Sequence, residues 1–164
     1  MDGRLRNMTG VYLRREDNLL LLYRIGSKVV ADSYTASAGG HFEKEELNDA
    51  KACVLRELYE ETGLEEKDID NLSLRYVTLR MKNGEIHQNY YFFADLINKD
   101  KTVTSNEGNP KWFKIEELSE SLPEMPFTAS YVVKHYAQIG QYTDLLYAGC
   151  ATQSGVVFCE MSEF

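Results

Sequence analysis

One stretch constrains the fold more than any other, and it carries an internal conflict. Residues 48–62, NDAKACVLRELYEET, have the spacing of a helix. Asn48 or Asp49 suits the N-cap, and Gly63 stands where a helix commonly ends in a left-handed residue. The last turn, however, holds Glu57, Glu60 and Glu61. At 100° per residue these share one face. Like charges four apart cost a helix roughly 0.2–0.5 kcal/mol per pair, and the C-terminal end of a helix dipole favours cations instead. A hard divalent cation would offset both penalties. Mg²⁺ in particular takes a few carboxylates together with waters and phosphates. The apolar residues are spread around the rest of the helix. Ala52, Leu55 and Tyr59 lie opposite the glutamates, while Ala50, Cys53 and Val54 lie nearer to them. This pattern predicts a helix packed on two sides.

The remaining pattern mixes strands and helices. Residues 8–13 and 19–23 read as strands around a polar turn. Residues 33–40 form a small-residue segment ending in Gly39-Gly40. Residues 72–81 and 86–96 flank Asn83-Gly84, the strongest short hairpin signal. A short strand is predicted at 111–114, a helical turn at IEEL, a second helix at 127–139 behind Pro126, and a closing hairpin at 145–147 and 156–158. There is no regular βαβ alternation. The expectation is an α+β chain, an α/β/α sandwich around a mixed sheet, with residues 1–164 as a single domain.

Charge and composition exclude other classes. A net charge of −8 argues against a basic groove for bulk nucleic acid. It leaves phosphate substrates open, because a bound cation reverses the local sign. Cys53, Cys150 and Cys159 are odd in number and lack metal spacing, which fits reduced thiols in a cytoplasmic protein. No apolar run is long enough to span a membrane.

The wider segment GGHFEKEELNDAKACVLRELYEETGL, residues 39–64, resembles the Nudix box, the signature of Nudix hydrolases. Gly40 and Glu46 match its first half; Arg56, Glu57, Leu58, Glu60, Glu61, Gly63 and Leu64 match its second. Nine residues, 47–55, separate Glu46 from Arg56 where the family pattern has seven. This reads as a two-residue insertion before the helix, and it leaves Glu45 and Glu43 as rivals to Glu46.

The resemblance implies a MutT-type pyrophosphohydrolase dependent on Mg²⁺ or Mn²⁺. Glu57, Glu60 and Glu61 would be the metal set, with the Gly39 carbonyl as a further ligand. Arg56 would pair with the early glutamate and tie loop to helix. Glu107 is the first candidate for general base, ahead of Glu85 and His87. His41 would face phosphate. Thr9, Tyr12, Arg24, Tyr34, Trp112 and Phe127 are candidates for substrate contact, with Arg24 and Tyr34 foremost. The default substrate is a nucleoside triphosphate, an oxidised purine nucleotide such as 8-oxo-dGTP among them. Two alternatives remain: a Nudix-fold binding module without turnover, and an isopentenyl diphosphate isomerase-like enzyme. The absence of a cysteine before Cys53 weighs against the isomerase. Cys53 itself reads as packing. The long hairpin and the aromatic surface leave a homodimer open.

Overall fold

The computed structural model describes residues 3–24 and 32–163. Its strands are β1 (Leu5–Arg15), β2 (Asn18–Arg24), β3 (Ser33–Thr35), β4 (Ile69–Lys82), β5 (Glu85–Leu96), β6 (Asn109–Lys114), β7 (Leu146–Thr152) and β8 (Gly155–Met161). The helices are α1 (Ala50–Thr62), α2 (Ile115–Glu120) and α3 (Phe127–Gln138). One mixed sheet runs in the order β3-β2-β1-β5-β4-β7-β8, and β6 pairs with β2. β1 lies parallel to β5 and β4 parallel to β7, while β4 and β5 form the long antiparallel hairpin. Asn83 and Gly84 turn that hairpin with φ of 53° and 78°, the left-handed pair that a two-residue hairpin loop requires.

Strand alternation divides the core in two. Val11 and Leu13 of β1, Leu20 of β2, and Phe92 and Ala94 of β5 pack with Val54 and Leu58 of α1. Tyr12, Leu19, Leu21, Tyr91 and Phe93 point the other way, onto Val132, Val133 and Tyr136 of α3 and Leu118 of α2. Period-2 strands between helices thus produce the α/β/α sandwich that the sequence predicts.

The helix α1 differs from its prediction in one respect. Asp49 caps it, accepting from the Ala52 N–H at 2.9 Å, and Gly63 ends it at φ 71°. Only one face is buried, that of Cys53, Val54 and Leu58; Ala52 and Tyr59 face solvent, Tyr59 at 59% exposure. The expected packing on two sides is absent, because none of the described residues covers α1 from outside. The buried stripe runs beside Glu57 and Glu61, so the acidic side of the helix is its inner side. The extra residues before α1 sit in a turn at Leu47 and Asn48, after a short 3₁₀ turn, Lys44–Glu46.

Segment 36–41 explains the glycine pair. It runs antiparallel to β1, with the Thr9 N–H donating to the Gly40 carbonyl and the Val11 N–H to the Ala38 carbonyl, both at 2.9 Å. A Cβ on Gly39 would lie 2.3 Å from the Thr9 carbonyl oxygen and 2.7 Å from Gly10 Cα. The close approach therefore excludes a side chain.

Candidate active site

The acidic turn of α1 meets the glycine pair at the edge of a cavity of about 420 Å³. A Cβ on Gly40 would come within 2.4 Å of a Glu57 carboxylate oxygen, so the missing side chain is the space that Glu57 occupies. Glu57 is 13% exposed and accepts from Arg56 Nη1 at 2.9 Å. Glu61, one turn on, accepts from the Gly39 N–H at 3.1 Å and lines the cavity. Burial pushes its carboxyl up to about 7; the negative charges of Glu57 and Glu107 add to this, while the Gly39 N–H and Arg24 oppose it.

Arg56 ties loop to helix. Its Nε and Nη2 bind both oxygens of Glu46, at 2.7 and 2.9 Å, and its Nη2 also donates to the His41 carbonyl at 2.9 Å. The structure therefore pairs Arg56 with Glu46 rather than with Glu43 or Glu45. The guanidinium holds the Glu46 carboxyl down at about 2.

Glu60 shares the Arg56 Nη1 with Glu57 but does not turn inward as Glu57 and Glu61 do. Its side chain is 54% exposed and turns to Arg56 Nη1 at 3.0 Å. Among the described residues no three His, Cys, Asp or Glu side chains are grouped so as to hold a metal ion. Of the three expected glutamates, Glu57 and Glu61 turn inward and Glu60 outward, and Gly39 donates its N–H to Glu61. Glu57 and Glu61 still fit a divalent cation. They lie four residues apart on the inner face of one helix, and Mg²⁺ needs only one or two carboxylates beside waters and substrate phosphates.

Loop 102–108 closes the open end of α1. The Asn106 N–H donates to the Glu61 carbonyl and its Nδ2 to the Glu60 carbonyl, both at 3.0 Å. This satisfies helix-end carbonyls and sets Glu107 beside Glu61, ion-paired to Arg24. Asn106 has no sequence signature; only the folded loop shows its role.

The other candidates divide. Arg24, Thr9, Tyr12, Phe127 and His87 line the cavity. His41 contacts Arg6 at 3.0 Å through Nε2, and burial and that arginine lower its pKa. Tyr34 is not brought to the site: Ser33 and Thr35 face the cavity, so alternation turns Tyr34 onto Tyr23 and Phe113, at ring separations of 4.9 and 5.1 Å. Trp112 lies under Arg15. Cys53 is fully buried, and burial pushes its thiol up to about 11, as packing requires.

The model of the NUDIX domain matches residues 4–136. The chain belongs to the Nudix family. Solved Nudix-fold structures agree. A MutT protein from Methanosarcina mazei superposes with a TM-score of 0.67 at 16% identity, over 88% of this chain and 99% of that one. A MutT protein from Bacillus halodurans gives 0.59 at 21%, over 94% and 97%. An Ap4A hydrolase from C. elegans gives 0.55 at 18%, over 83% and 90%. At these identities the likeness is one of fold. No curated protein sequence matches the chain. Residues 4–136 include the acidic turn, and Nudix hydrolases act on pyrophosphate bonds.

Proposed function

We propose that this Nudix chain hydrolyses the pyrophosphate bond of a nucleoside diphosphate-linked substrate. A nucleoside triphosphate, cleaved to monophosphate and pyrophosphate, is the first candidate. The observation that carries the reading is the pair of inward carboxylates, Glu57 and Glu61, set against Gly39-Gly40 at the edge of the cavity. Glu57 and Glu61 would hold Mg²⁺ or Mn²⁺, which neutralises phosphate oxygens and acidifies water.

The chain's own residues do the rest. The bare backbone at Gly39 and Gly40 admits phosphate close to the helix. Arg24 supplies positive charge beside Glu61. Water forms the new P–O bond as the bridging P–O bond breaks. Glu107, positioned by Asn106 and Arg24, takes the water proton.

The test is release of phosphate or pyrophosphate from normal and oxidised dNTPs, ADP-ribose, a dinucleoside polyphosphate and a nucleotide sugar, with Mg²⁺ or Mn²⁺ and with EDTA. Metal-dependent cleavage that Glu57→Gln abolishes is the expected result. Binding without cleavage of any member under either metal would overturn it in favour of a binding module.

A further inference from the structure

The cavity that begins at Glu61 ends in positive charge. Its floor is the sheet face towards α3. There the strand register sets Arg6 of β1 against His87 of β5, and His87 against Arg80 of β4. Lys82, two residues further along β4, lines the same cavity. In a chain with 26 acidic and 18 basic residues, carboxylates to neutralise this row are abundant. They are not used. Among the described residues, Arg6, Arg80 and Lys82 make no ion pair: Arg6 Nη2 meets only the His41 imidazole, at 3.0 Å, Glu85 lies 3.6 Å from His87 and is 40% exposed, and the other acids of the cavity lining, Glu61 and Glu124, make no ion pair with the row. Among the described residues, the buried Nε of Arg6 has no acceptor. The Arg80 guanidinium lies 5.1 Å from the ring centre of Phe127, on the cavity wall. His87 senses the crowding: burial and Arg6 lower its pKa, Lys82 and Arg80 add to this, and Glu85 opposes.

Like charges facing each other across strands destabilise a sheet. Such a row persists where a ligand supplies the opposite charge. A bare nucleobase does not. The apolar part of the cavity, with Tyr91, Met125 and Phe127, suits a base. Gly10, which abuts Gly39, lies four residues along β1 from Arg6, or about 13 Å at 3.3 Å per residue. The Arg6 side chain reaches back along that distance, so the row and the glycine pair face one ligand from two sides.

We infer that Arg6, His87, Arg80 and Lys82 form a second anion site, which takes a monoester phosphate carried by the substrate at the end remote from the scissile pyrophosphate. A phosphate is dianionic near neutral pH and offers three acceptors, which matches a guanidinium fork beside an ammonium and an imidazole. The inference rests on the proposed placement of the pyrophosphate at Glu57 and Glu61. It narrows the substrate to a nucleotide that bears a further phosphate.

The experiment separates the two readings by avoiding turnover. Binding of AMP, adenosine 2′,5′-bisphosphate and adenosine 3′,5′-bisphosphate is measured by calorimetry in EDTA, for the wild type and for Arg80→Gln and Lys82→Gln. One bisphosphate should bind at least about tenfold more tightly than AMP, the scale of one charge-assisted hydrogen bond, and each variant should remove most of that ratio. Lys82 is exposed, so its variant guards against a folding defect at Arg80. Equal binding of all three probes by the wild type overturns the inference. So does a variant that weakens AMP and the bisphosphates equally, since the row would then hold the 5′-phosphate. Neither result touches the hydrolase reading, which stands or falls on metal-dependent cleavage.

Discussion

The acidic turn of α1 and the basic row across β1, β5 and β4 are two like-charge clusters on one cavity, built in opposite ways. The turn is contiguous in sequence, and protein groups partly neutralise it: Arg56 holds Glu57 and Glu60, and the Gly39 N–H holds Glu61. The row is assembled from three strands, and its one ion pair among the described residues is that of His87 with Glu85. The difference separates chemistry from selection. A site for a cation must exist before substrate arrives, so its carboxylates are pre-oriented by neighbouring donors. A site for an anionic group needs only to be left unpaired, so that the substrate completes it.

The sharpest way to break the symmetry is to remove one carboxylate. Glu57→Gln or Glu61→Gln should lower kcat/KM by roughly three orders of magnitude, in line with the loss of a charge-stabilising group. Glu61→Gln should leave the helix no less stable, because relieving an i,i+4 repulsion adds roughly 0.2–0.5 kcal/mol, whereas Glu57→Gln also gives up the ion pair with Arg56. Thermal melts with steady-state rates at saturating Mg²⁺ check both halves. Near-native turnover in either variant removes that residue from the site. The row variants, by contrast, should act on the ratio between substrates.

The same contrast explains what could be read from the sequence. The turn was legible because a helix converts spacing into a face, so Glu57 and Glu61 share a side wherever the helix packs. The hairpin at Asn83-Gly84 and the two-layer core follow in the same way from local turn chemistry and alternation. The row was not legible. Arg6, Arg80 and His87 become neighbours only through the parallel pairing of β1 with β5, a long-range register that no local pattern carries. Tyr34 faces away from the cavity for a related reason. Its strand is three residues long, and a one-residue change of register decides whether Tyr34 or its neighbours face the cavity. The two-sided packing of α1 failed because the amphipathic pattern includes Ala52 and Tyr59, which solvent tolerates.

A smaller effect tests how the loop serves the acidic end. Glu107→Gln should lower kcat about a hundredfold with little change in KM, the range for loss of a general base. Arg24→Gln is the control. If Glu107 only restrains Arg24, both variants will raise KM to a similar extent and leave kcat standing. Smaller again, Gly40→Ala forces the Glu57 carboxylate aside by placing a methyl within 2.4 Å of it, and should cost about tenfold in kcat, the scale of one misplaced charge interaction. The side chain can swing away, so the fold should survive. Gly39→Ala meets backbone on β1 instead and should impair folding, read as loss of soluble protein.

The smallest effect on turnover belongs to Glu46, which braces the acidic end without facing the cavity. Its bidentate pair with Arg56 is 11% exposed on the glutamate side and joins the loop to α1. Glu46→Gln should cost about 2 kcal/mol of stability, as expected for hydrogen bonds to a charged group, and only a few-fold in rate. The pH dependence identifies the cause. The folded carboxyl titrates at about 2 against an ordinary 4.5, so the folded state binds its proton less readily than the unfolded chain. The stabilisation is therefore complete above pH 4.5 and lost as pH falls from there towards 2. Urea midpoints for wild type and variant should differ most at pH 6–7 and converge near pH 2–3, within about a unit of the folded value. A difference that persists unchanged into acid would assign the brace to shape rather than to charge. The acidic turn would then owe its orientation to packing on β1, and the contrast with the unbraced row would narrow to a matter of counterions.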